Sequence, residues 1–95
     1  MAEYLAELYV PRTDGAFAER STSRVRIAAA ELTREGTPVR WVRSIFVPED
    51  ETCFVLCEAA TADAVRETAR RAALTFERIA EAVAPTRDEE ELPCC

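Results

Sequence analysis

The sequence predicts an α+β fold of the ferredoxin-like kind, a four-stranded antiparallel sheet with two helices on one face. Three observations carry this expectation. Alternating and helically spaced apolar residues succeed one another in the order β-α-β-β-α-β, the split βαβ arrangement. The two middle strands are separated only by a short turn-forming stretch, so they pair as a hairpin. Prolines and a glycine stand at segment borders, at Pro11, Gly36, Pro38 and Pro48.

In "YLAELYV", Tyr4 to Val10, Tyr4, Ala6, Leu8 and Val10 share one side and Leu5, Glu7 and Tyr9 the other, which is strand periodicity. Pro11 ends the strand, and Asp14 is placed to cap the helix that follows. Phe17, Ser21, Val25, Ala28, Ala29 and Leu32 fall at helical spacing and predict its buried stripe. Gly36 ends this helix and Pro38 prevents its resumption.

"VRWVRSIFV", Val39 to Val47, is rich in β-branched and aromatic residues. As a regular strand it places Val39, Trp41, Arg43, Ile45 and Val47 on one face and Arg40, Val42, Ser44 and Phe46 on the other. Pro48 to Glu51 turns the chain into a third strand, Thr52 to Ala59. Thr61 caps a second helix whose buried stripe is expected at Ala62, Val65, Ala69 and Ala72, with Asp63 in the first turn and Arg70 and Arg71 in the last. "RIAEAVA", Arg78 to Ala84, reads as the last strand. The strands carry apolar residues on both sides, which a sheet facing water on one side does not need, so a homodimer through the open sheet face is expected.

The chain has 95 residues, which fits one domain over 1–84. Residues 85–95 lack periodicity and read as an acidic, disordered tail. Arg87 to Glu91 holds one arginine against four carboxylates and accounts for half of the net charge of −6. With no lysine and scattered arginines there is no basic stripe, so nucleic acid is excluded as a partner. No apolar run is long enough to span a membrane and no leader is evident, so a cytoplasmic protein with reduced thiols is expected. The chain has no histidine, which removes the commonest general base and every His-containing metal motif. With two glycines it builds no phosphate-binding loop.

The run "GTPVRWVRSIFVPEDET", the segment ending in "CEA" and "AVRETARRAALTFERIAEA" together resemble a family of small bacterial ferredoxin-like proteins of unknown function that includes an actinomycete nickel-binding protein. The resemblance spans Tyr4 to Val83 and is most specific at "PVRW", Pro38 to Trp41, combined with "ARRA", Ala69 to Ala72. It implies a ferredoxin-like and often dimeric protein, with nickel as the implied cofactor. It also implies a cysteine two residues before Cys57 and a histidine just before "ARRA". Here those positions are Val55 and Thr68, so the family's metal ligands are not expected to be retained.

Of the four cysteines, Cys53 and Cys57 stand four apart. On a strand that is ~13 Å along one face, too far for one metal or a disulfide. The remaining transition-metal candidates, for nickel or zinc, are Cys57, Cys94 and Cys95, with Glu58 as a further ligand. A small-molecule site is expected from Trp41 and Arg43, placed on one face, with Glu7 and Glu58 on the neighbouring strands. The function expected is a non-catalytic binding protein for a metal ion or small molecule. The alternatives are a small enzyme or biosynthetic accessory factor working in the cleft between sheet and helices through Glu7, Glu58, Tyr4 or Tyr9, and a protein-interaction module using the acidic tail.

Overall fold

A computed structural model describes residues 1–85. The acidic segment from Arg87 to Glu91, and with it Cys94 and Cys95, lies outside the described residues. The elements are β1 (Ala2–Tyr9), α1 (Gly15–Arg34), β2 (Val39–Val47), β3 (Thr52–Ala59), α2 (Ala62–Arg71) and β4 (Arg78–Ala82). All pairings are antiparallel and the sheet order is β2-β3-β1-β4, the predicted ferredoxin-like arrangement. No helix among the described residues is long and apolar enough to cross a membrane.

Both helix starts follow from their capping side chains, which accept one of the backbone N–H groups a first turn leaves unpaired. Asp14 Oδ1 accepts from Phe17 N at 3.0 Å and Thr61 Oγ1 from Ala64 N at 3.2 Å. Helix α1 buries Ala18, Ser21, Val25, Ala28, Ala29 and Leu32, so Ala18 replaces Phe17 on the expected stripe. Phe17 packs against the edge of the core and is partly exposed. At its end Gly36 N donates to Thr33 O at 3.1 Å and Thr37 N to Leu32 O at 2.9 Å, a Schellman closure with Gly36 at φ +103°.

Helix α2 buries Ala64, Val65, Thr68 and Ala69, and its C-cap Ala72 is buried as well, so Val65, Ala69 and Ala72 of the expected stripe are in the core, Ala64 and Thr68 widen it, and Ala62 is only partly buried. Thr68 is tolerated there because its hydroxyl donates to Ala64 O at 2.8 Å. The helix closes as α1 does, with Ala73 N donating to Arg70 O at 3.1 Å and Leu74 N to Ala69 O at 2.9 Å, but the left-handed residue is Ala73 at φ 58°. Two arginines then join the helices. Arg24 of α1 donates to the carbonyls of Ala72 and Ala73 at 2.9 and 3.0 Å, satisfying acceptors at the negative end of α2. Arg71 of α2 makes a two-pronged pair with Glu35 at 2.8 and 2.7 Å and also reaches Glu67 at 3.1 Å.

The core lies between the sheet and the two helices and is made of small side chains. Its largest fully buried residues include Val10, Val25, Val55 and Val65, with Cys53 and Cys57 among them. Phe17, Trp41, Phe46 and Phe76 pack around its margin, each partly exposed. Burying a valine-sized side chain contributes ~1.5–3 kcal/mol, so valines and alanines hold the layers together while the aromatics shape the rim.

One irregularity sets the faces of the sheet. Between Trp41 and Arg43 the β2–β3 register slips: Trp41 pairs with Cys57, Arg43 with Leu56, and Val42 has no partner. This β-bulge reverses the facing of every later residue of β2. Val39, Trp41, Ser44 and Phe46 therefore share the helix-covered side, and Arg40, Arg43, Ile45 and Val47 the open side. The predicted sharing of one face by Trp41 and Arg43 is thereby corrected.

Candidate functional site

The thiols that invite a metal reading are in the core. Cys53 is 1% exposed and Cys57 0%. Both belong to β3, every second residue of which is buried from Cys53 to Ala59, and along a strand they lie ~13 Å apart. Desolvation pushes the Cys53 thiol up and that of Cys57 up to about 11, so neither is poised as a thiolate ligand. Glu58, proposed beside Cys57, points to the opposite face of the sheet. There it accepts from Arg40 Nε at 3.0 Å, and that hydrogen bond holds its carboxyl below the usual glutamate range.

Among the described residues no three His, Cys, Asp or Glu side chains converge. Val55 and Thr68, at the positions where the resemblance implies a cysteine and a histidine, are buried at 1% and 0% exposure. Neither is a nickel donor, since valine has none and the threonine hydroxyl is engaged with Ala64 O. The donor set needed for a nickel centre does not fit what these residues offer.

The four residues expected to form a small-molecule site are also not brought together. Glu7 and Glu58 do share the open face, but Glu58 pairs across from Glu3, a full ~13 Å along β1 from Glu7. Glu7 faces Phe54 on one side and Arg78 on the other, with Arg78 Nη1 3.4 Å from its carboxylate. Arg43 is on that open face and exposed, and Trp41 is on the other. Of the groups named for proton transfer in a sheet–helix cleft, only Tyr4 is on the helix side; Glu7, Glu58 and the half-exposed Tyr9 are not.

What the bulge does assemble is a cleft of about 600 Å³ between the N-terminal half of α1 and β2, walled by Trp41, Ser44 and Phe46 on the sheet and by Glu19, Thr22 and Ser23 on the helix. Trp41 is fixed from two directions. Its indole N–H donates to Ser44 Oγ at 3.0 Å, and the Arg26 guanidinium sits 4.6 Å from the ring centroid, a cation–π distance. In a regular strand residues three apart face opposite ways, so the Trp41–Ser44 bond exists because of the bulge at Val42. The cleft joins aromatic surface to three hydroxyls, and among the described residues Glu19 is its one charged wall.

Of these residues only Trp41 was among the expected ligands. The signal available for the others was Phe46, a large apolar residue that regular alternation sends to the same side as Arg40.

A family model described as "Nickel responsive protein SCO4226-like" matches residues 9–82. Among solved structures the chain is similar to the crystal structure of SCO4226 from Streptomyces coelicolor A3(2), with a TM-score of 0.61 and 17% identity, covering 90% of this chain and 100% of that one. At that identity the likeness concerns the fold. The comparison with curated proteins finds no match.

Proposed function

The chain belongs to the SCO4226-like family of nickel-responsive proteins, and from that premise we propose that it is a small, non-catalytic binding protein whose ligand is an organic molecule held in the cleft between α1 and β2. The observation that supports this reading is the preorganised wall of Trp41, fixed by Ser44 and Arg26 before any ligand arrives. Preorganisation reduces the ordering cost that binding otherwise carries. The chemistry of the walls favours a planar ligand that is neutral or cationic, since Glu19 supplies the only formal charge among the described lining residues. Nickel is not assigned to the described residues, because their donor groups do not converge. We place the protein in the cytoplasm, where the core thiols stay reduced, and as a homodimer through the open sheet face.

Trp41 is the one tryptophan of the chain, so its fluorescence reports directly on the cleft. Titration with benzamidine, a planar cation, is expected to change Trp41 emission saturably and to raise the melting temperature. Benzoate, its counterpart of opposite charge, is expected to leave the emission unchanged, and Glu19→Gln to weaken the benzamidine response. Emission that ignores benzamidine, or responds equally to benzoate, would sink the proposal.

A further inference from the structure

A second cleft, of about 420 Å³, lies at the β4 edge of the sheet, between the C-terminal half of α2, the connection after it and the start of β4. Its floor is apolar: Leu74, Phe76 and Ile79 line it and are partly buried against the core. Its rim is cationic. Arg66 and Arg70, one turn apart on α2, contribute two guanidiniums, against the single carboxylate of Glu77 among the described lining residues; Arg78 also lines the cleft, but its guanidinium is turned to Glu7 on the open face of the sheet.

The two arginines are held only by surface pairs. Arg66 pairs with Asp63 and Arg70 with Glu67 at 2.5 Å, and their side chains are 60% and 75% exposed. Pairs this exposed contribute little, so they do not prevent the guanidiniums from turning to another anion. Arg70 also shares its partner, because Glu67 accepts from Arg71 as well. Guanidiniums over an apolar floor match an oxyanion attached to an apolar body, with charge-assisted hydrogen bonds at the head and area burial below.

We propose that this cleft binds a small organic anion, its carboxylate or phosphate head between Arg66 and Arg70 and its apolar body on Leu74, Phe76 and Ile79. The site is separate from the α1–β2 cleft, whose charged wall is Glu19, and the two clefts select ligands of opposite charge. The inference stands whether or not the first cleft is occupied.

The test is an NMR titration of the ¹⁵N-labelled full chain with phenyl phosphate at fixed ionic strength. Saturable shifts are expected at the amides from Leu74 to Ile79, while the Trp41 indole N–H resonance, which reports the other cleft, stays in place. Inorganic phosphate tests the head alone and benzyl alcohol the body alone; each is expected to bind at least about tenfold more weakly. The double variant Arg66→Gln/Arg70→Gln removes only exposed side chains, so it is expected to fold and to lose about tenfold or more in phenyl phosphate affinity. The proposal is overturned if inorganic phosphate binds as well as phenyl phosphate, if the shifts centre on Trp41, or if the double variant binds phenyl phosphate unchanged.

Discussion

Cys57 pairs across from Tyr4 on β1 and from Trp41 on β2, and its side chain has no exposure at all. Its thiol, pushed up to about 11 by desolvation, is almost entirely protonated at about pH 8, where an ordinary cysteine is partly ionised. Cys53 shares the raised direction and the burial. Alkylation needs a thiolate that the reagent can reach, and neither condition is met in the folded chain. Iodoacetamide followed by mass spectrometry of peptides is therefore expected to leave Cys53 and Cys57 unmodified under native conditions and to label both in concentrated guanidinium. Native labelling of Cys57 at the pace of a free thiol would show that the core reading of this cysteine is wrong. The same burial means that nickel uptake, followed by native mass spectrometry, is expected to be indifferent to Cys57→Ala.

The two helices close by the same backbone hydrogen bonds but with different residues in the left-handed position. Gly36 adopts φ +103° without a side chain to clash, whereas Ala73 holds φ 58° with one. The left-handed conformation costs a non-glycine residue ~1–2 kcal/mol, and a glycine loses ~0.4–1 kcal/mol through its freer unfolded chain. The first effect is the larger, so Ala73→Gly is expected to stabilise the fold by ~0.5–1 kcal/mol. The Arg24 bonds survive the change because they go to the carbonyls of Ala72 and Ala73. Urea unfolding of the two proteins checks this, and an unchanged or lower midpoint for Ala73→Gly would rule out strain relief.

These helix ends also show what local chemistry makes readable. Asp14, Thr61 and Gly36 announce their roles because the side chain, or its absence, performs the role. Ala73 announces nothing, since its conformation is imposed by the Schellman bonds and by Arg24, a residue 49 positions away. The bounds of β2 and β3 follow from their composition, but the facing of β2 beyond Val42 does not. A bulge is a property of the pairing, and the partner's register is not written in the strand that carries it. For that reason Trp41 could be named as a candidate from its type, while Ser44 and Phe46, which line the same cleft, were assigned to the other side.

The open face of the sheet is where the molecule departs most from a self-sufficient two-layer fold. Across β2, β3, β1 and β4, the row Arg40–Glu58–Glu3–Ala82 is followed by Arg43–Leu56–Leu5–Ala80 and then by Ile45–Phe54–Glu7–Arg78. Leu5, Phe54 and Leu56 form an apolar centre, Ile45 beside them is 50% exposed, and the pairs Arg40–Glu58 and Arg78–Glu7 flank it. A sheet that meets water on one face normally alternates to polar residues there, and an apolar centre with a charged rim is the make-up of an interface. A two-fold pairing of this face with a second copy buries the same patch on both chains, and a chain of this length gains from the added burial. Sedimentation equilibrium is therefore expected to give twice the 10.6 kDa chain mass. Leu56→Glu puts a carboxylate into the centre of the patch and is expected to give a folded monomer, with an unchanged far-UV circular dichroism spectrum, because Leu56 is only half-buried in the single chain. A wild-type protein that sediments as a monomer at tens of micromolar, or a Leu56→Glu variant that stays dimeric, would place the dimer elsewhere or nowhere.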